Sequence, residues 1–389
     1  MSEVTRRDAL KLIVATGAAA AAGCTDDAAS AAPSAPNTPK ENASMPHDEV
    51  KRPDPVLAIE PLTMPWQTLD PFLFCVHHDD RYPRGNPQMG PLASLAGRDI
   101  GQDFAGKDGW NMYHGEVVPG FPQHPHRGFE TVTVVRRGLL DHSDSMGATA
   151  RYGKGDVQWL TAGRGIQHAE MFPLLSEAVA NPLELFQIWL NLPRSNKMVE
   201  PHFSMLWADS IPVLTERDAK GRTTVLTLDA GRYRETQAPA PPPNSWAADP
   251  KSDIAIWTLK LEPSAQFTLP RTEATTHRAL YFFAGRELRI DGRAIAPKQY
   301  VRVRAEVDLA LEAGADGAEL LMLQGRPIGE PVVKYGPFVM NTEQEIRQAF
   351  IDYRSTQFGG WPWDKNDPVH PREEGRFARR PDGSTERPA

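Results

Sequence analysis

The chain has 389 residues, 40% of them hydrophobic and 24% charged, with 36 prolines, 30 glycines and a formal net charge of −7. That length supports two domains with well-buried cores, and the acidic balance argues against nucleic acid as a partner, because such binding rests on basic side chains meeting phosphate. Abundant Pro and Gly between short apolar runs favour strands joined by turns.

Thr5, Arg6 and Arg7 lead into an Ala-rich apolar run from Leu12 to Gly23, too short for a stable membrane span. Residues 1–24 therefore read as an export signal of twin-arginine type, with Ala9 where a bulkier apolar side chain is more usual. The signal ends in Ala-Ala-Gly-Cys, which makes Cys24 the lipid-attachment candidate and the only expected membrane contact. The expected destination is the periplasm, free or as a membrane-anchored lipoprotein. Residues 25–55 are rich in Ala, Ser, Pro, Asn and charge, and cannot bury enough apolar surface to offset ordering, so they read as a flexible tether.

From residue 56 short apolar runs alternate with Gly and Pro breaks, as for strands leading into a barrel. Cys75 lies in an apolar run and reads as a buried, inert thiol; His77, His78, Asp79 and Asp80 after it read as a strand end and turn. The segment from Gly120 to Glu170 holds two pairs of metal-capable side chains, His124 with His126 and His168 with Glu170, each spaced by two. Residues two apart on a strand share a face, so each pair aims at one point, and two pairs converge most economically in the lumen of a small antiparallel barrel. Three imidazoles and a carboxylate suit one divalent transition metal, with Fe(II) foremost and Mn, Ni, Cu or Zn open. Glu130 has the parity of His126, so it can face the metal or cap a neighbouring strand, and it reads foremost as a residue behind the ligands. His142, before the Gly147 turn, reads as exposed or as lying behind the ligands.

Leu185 to Leu192 reads as a strand that Pro193 ends, and residues 207–230 are strand-like again. A proline-rich loop, 238–246, precedes a second strand-rich block, roughly 254–326, that contains no such histidine pair. Thr342 and Glu345 form a capping box for a helix with apolar Ile346, Ala349, Phe350 and Tyr353 on one face, ended by Gly359 and Gly360. The charged, Pro-containing residues 361–389 read as a largely disordered tail.

The segments HPHRGFETVTVV, GDVQWLTAGRGIQHAE, FQIWLNLPRSNKMVEP and YGPFVMNTEQEIRQAFIDYRSTQFGG, in that order, resemble the signature stretches of the pirin family, a branch of the cupin superfamily. The resemblance implies an all-β fold of two tandem cupin barrels with a C-terminal helix: a metal-binding domain over 56–200 and a second cupin domain, without a metal site, over 201–360. It implies His124, His126, His168 and Glu170 as metal ligands. It also implies a metal-dependent dioxygenase of the quercetin 2,3-dioxygenase kind, working as a monomer on a small aromatic or enolic substrate with dioxygen, and with Glu170 as the catalytic base. The competing expectation is a non-catalytic metal-binding protein of the envelope, redox-sensing or regulatory.

Overall fold

The computed structural model describes residues 53–389. The export signal, Cys24 and residues 25–52 of the tether lie outside that range. The described chain is built mostly from antiparallel strands, arranged as two barrels in tandem with one C-terminal α-helix.

The first barrel faces a five-stranded sheet against a six-stranded one. The five-stranded sheet runs, in spatial order, His202–Leu206, Val157–Thr161, Phe129–Arg137, Asn181–Asn191 and Phe72–Tyr82. In the six-stranded sheet Leu139–Asp144 is followed by Ile166–Met171 and then by Gly120–His126, which is its edge. The second barrel pairs a seven-stranded sheet with a four-stranded one.

The inner strands of the seven-stranded sheet are apolar on both faces, and alternation assigns each face to a different core. On His277–Gly285, Leu280 and Phe282 enter the second barrel, whereas Ala279, Tyr281 and Phe283 meet the first. Against that outer face pack Val132, Val134, Trp159, Phe186 and Ile188 of the five-stranded sheet. Trp66 stacks on Tyr281 with ring centroids 5.1 Å apart, and Arg136 of the first barrel pairs with both Glu184 and Glu319, the latter in the second. Cys75 is fully buried in this layer, and burial pushes its thiol pKa well up, as expected of an inert side chain.

Several elements depart from the sequence reading. Val56–Pro61, read with the first domain, pairs with Gln299–Val303 of the seven-stranded sheet, and Val56 enters the second core. The strand Phe72–Tyr82 continues through His77–Asp80 without a turn, with His77 and His78 on opposite faces. His77 meets Glu184 at 3.1 Å, whereas His78 Nδ1 lies 2.7 Å from the Tyr113 hydroxyl, which donates to Asp80.

The helix spans Glu343–Thr356, capped by Thr342, whose hydroxyl accepts from Glu345 N; Glu345 in return accepts from Asn341 N. It ends earlier than its glycines suggest, at Gln357 in the left-handed region (φ 51°). Residues 361–389, expected to be largely disordered, instead fold back onto the first barrel. Phe377–Arg379 pairs with Thr149–Gly153 and with Thr385–Glu386, and Ala378 is fully buried. Arg151, itself fully buried, forms a two-point ion pair with Asp141 at 2.7 Å and donates to the carbonyls of His370, Pro371 and Glu374. A buried guanidinium holding backbone carbonyls leaves no apolar pattern in the segment it holds, so polarity alone misleads there.

Candidate metal centre

The two histidine-bearing segments are neighbouring antiparallel strands, with His124 opposite His168 and Phe121 opposite Glu170. Between those pairs the His-Pro-His strand carries one extra residue, a bulge that restores Phe121, His124 and His126 to a common side of the sheet. The three imidazoles face one another: ring centroids are 4.4 Å apart for His124 and His168, 4.8 Å for His124 and His126, and 4.9 Å for His126 and His168. One nitrogen from each lies within 4.8 Å of the others, and among the described residues this is the one cluster that could hold a metal ion.

His126 and His168 are buried and His124 is half-buried. Desolvation lowers the pKa of His124 to about 4 and takes His126 and His168 well below the ordinary imidazole value; like charge among neighbouring imidazoles adds to it. All three are therefore neutral at pH 7, the state in which imidazole has a lone pair to give. His124 Nδ1 sits 2.8 Å from Pro122 O and His126 Nδ1 3.4 Å from Pro337 O, contacts that direct each Nε2 toward the cluster. Neither ring nitrogen of His168 has a protein partner. An unpaired buried polar group costs about 1–3 kcal/mol, and a divalent metal at the triad is the group that fits this donor set.

Glu170 stands beside the triad. Its Oε2 lies 3.8 Å from His168 Nε2, and the carboxylate accepts from Gln187 Nε2 at 3.2 and 3.4 Å and from Thr133 Oγ1 at 3.3 Å. Burial raises its pKa above the usual carboxylate value, opposed by His142 and these donors. Gln187 escaped the sequence reading, although an amide in the middle of the apolar run Leu185–Leu192, well before Asn191 near its end, was a usable signal.

His142 is fully buried, not exposed, and its ring centroid lies 5.6 Å from that of His168. Its nitrogens are engaged by Asp144 at 3.2 Å and Gln158 at 3.1 Å, so it supports the site from behind. Glu130 turns away from the triad. Parity counted from His126 fails because Arg127 and Gly128 (φ 85°) carry the chain from one sheet to the other. There it accepts from Thr161 Oγ1 at 2.6 Å and from Ser245, at the end of the proline-rich loop.

Burial raises the Glu130 pKa to about 7, against the opposing donors Ser245 and Thr161. A folded-state value above the unfolded one means that its contribution is fully present below about pH 4.5 and is lost as pH rises through 7, a span of about 3 kcal/mol. Glu130→Gln should therefore gain stability relative to wild type as pH rises from 4.5 to 8. Urea midpoints for both proteins that stay parallel over this range would contradict the assignment.

The edge strands Phe72–Tyr82 and Gly120–His126 are not paired with each other. Half-buried Phe74, Gln187 and Trp189 on one side, with Phe121 and His124 on the other, mark the open side of the lumen. Trp189 lies 5.3 Å from His126 and 4.7 Å from Phe74, so the triad has an aromatic flank.

Two tandem antiparallel barrels, with three histidines converging in the first, define a bicupin with a candidate metal centre. The chain belongs to the pirin family: the pirin profile matches residues 63–190 and that of the pirin C-terminal cupin domain matches 256–359. A Pseudomonas aeruginosa protein provisionally named quercetin 2,3-dioxygenase is 38% identical over 240 residues, covering 61% of this chain and 79% of that protein. Human pirin is 35% identical over 262 residues, covering 64% and 81% respectively. A crystal structure of quercetin 2,3-dioxygenase from Acinetobacter baumannii superposes with a TM-score of 0.62 at 25% identity, covering 79% of this chain and 98% of that one.

Proposed function

We propose that the protein is a metal-dependent dioxygenase of the pirin type, acting on quercetin-like flavonols or related enols, with His124, His126, His168 and Glu170 as its metal ligands. The observation that carries this reading is the cluster of three neutral imidazoles with a buried, pKa-raised carboxylate 3.8 Å from one of them. The relatives named for quercetin dioxygenation support it. Fe(II) is the metal we favour, because three nitrogen donors with one carboxylate suit it and Mn, Ni, Cu and Zn less selectively.

A divalent metal held by His124, His126 and His168 would supply the positive charge that lowers the pKa of a substrate hydroxyl. Glu170, whose buried carboxylate lies 3.8 Å from His168 Nε2, would take that proton as the general base. Gln187 and Thr133 hold its oxygens in place before transfer. Phe74, Trp189 and Phe121 present flat apolar surface to an aromatic substrate and keep water from the reacting centre.

The test is oxygen consumption by protein loaded separately with iron, manganese, nickel and copper, with quercetin as substrate. Uptake above that of the free metal is expected with at least one of them. No uptake with any would move the reading to a metal-binding protein without catalysis.

A further inference from the structure

We propose that the C-terminal segment from Pro337 to His370 sets the metal affinity of the triad, acting from outside the barrel through Gln167 as a positioning residue. This rests on the reading of the three histidines as metal ligands. Gln123 and Gln167 each precede a ligand, His124 and His168, and alternation puts them on the opposite face of their strands. There Gln123 Nε2 donates to Gln167 Oε1 at 2.7 Å, so the two metal-bearing strands are bolted together behind the site.

Gln167 is fully buried and its amide is saturated. Nε2 donates to Gln357 O at 2.6 Å and to Gly360 O at 3.0 Å, while Oε1 also accepts from the Tyr353 hydroxyl at 3.1 Å. Those carbonyls lie just past the helix, where Gln357, Phe358, Gly359 and Gly360 all have positive φ, between 48° and 98°. Such backbone is costly for Gln and Phe and persists only when its surroundings fix it. Phe358 is fixed by Gly165, where a β-carbon would lie 2.6 Å from its ring, and by the Arg127 guanidinium 4.5 Å above it. Arg127 in turn pairs with Asp352 of the helix at 2.6 Å.

The same segment reaches the other ligands. Pro337 O faces His126 Nδ1 at 3.4 Å, and Asn366 O accepts from Gln123 N at 2.7 Å along the open edge of the His124 strand. Trp363 Nε1 donates to Asp144 O at 2.8 Å, on the strand next to that of His168. Every ligand-bearing strand is thus held by chain from the far end of the sequence, and residues 361–389 lie beyond both matched family regions. Groups that orient ligands from the next layer out are worth about 10–100-fold in metal affinity.

The experiment is cobalt(II) titration of the full chain, reading the dissociation constant and the visible d–d bands, for wild type, Gln167→Ala and Gln123→Ala. Gln167→Ala should bind cobalt about 10–100-fold more weakly with shifted bands, and Gln123→Ala should shift both in the same direction to a lesser degree. Because Gln167→Ala leaves buried partners unpaired and will itself lower the apo-protein melting point, the shift of the d–d bands, which a loss of stability alone does not cause, is what separates positioning from general destabilisation. Cobalt affinity and bands equal to wild type in Gln167→Ala, or in Gln123→Ala should the first variant fail to fold, would overturn the proposal. Wild-type protein whose cobalt binding is unaffected by His124→Ala would overturn the triad reading itself, and this proposal with it.

Discussion

Glu170→Gln is expected to lower oxygen turnover with quercetin by about 10²–10⁴-fold while most of the metal stays bound. The amide has nearly the same shape, and its one oxygen, placed where Oε1 stands, can still accept from Thr133 and Gln187. What it loses is the capacity to take a proton. Three imidazoles remain to hold the metal. Rates expressed per bound metal isolate the effect, and a per-metal turnover within about twofold of wild type would remove Glu170 from the proton transfer, since general-base catalysis contributes far more than that.

The part of this site visible in the sequence was visible because of one regularity. Side chains two apart on a strand share a face, which joined His124 to His126 and His168 to Glu170 before any fold was known. The same regularity misled at Glu130, because period-two counting holds within a strand and Gly128 ends one strand before the next begins. The bulge between Phe121 and His124 went unread although Pro122 lies inside it, since a proline within a strand marks an edge or a bulge but does not say which.

The C-terminal tail was illegible for a different reason. Its anchors are the backbone carbonyls of His370, Pro371 and Glu374, gripped by Arg151, and they leave no apolar periodicity to read. His142 fell between these cases. The turn signals around Gly147 were real, with the strand ending at Asp144, but a strand end inside a barrel is buried all the same.

His168→Ala should reduce bound metal to near nothing. His168 lies opposite His124, with neither ring nitrogen hydrogen-bonded, and it stands between the other two imidazoles and Glu170, so its loss leaves His124, His126 and Glu170 without the donor that joins them. The fold should survive, because the strand Ile166–Met171 keeps its hydrogen bonds to Gly120–His126 and Leu139–Asp144, and Ile166 keeps its place in the core. The measurement is elemental analysis of the folded, desalted variant beside wild type, with far-UV circular dichroism to establish that the strands are intact. Near-complete loss of metal from a protein with the wild-type spectrum is the predicted result; metal retained at wild-type stoichiometry would contradict the three-histidine centre.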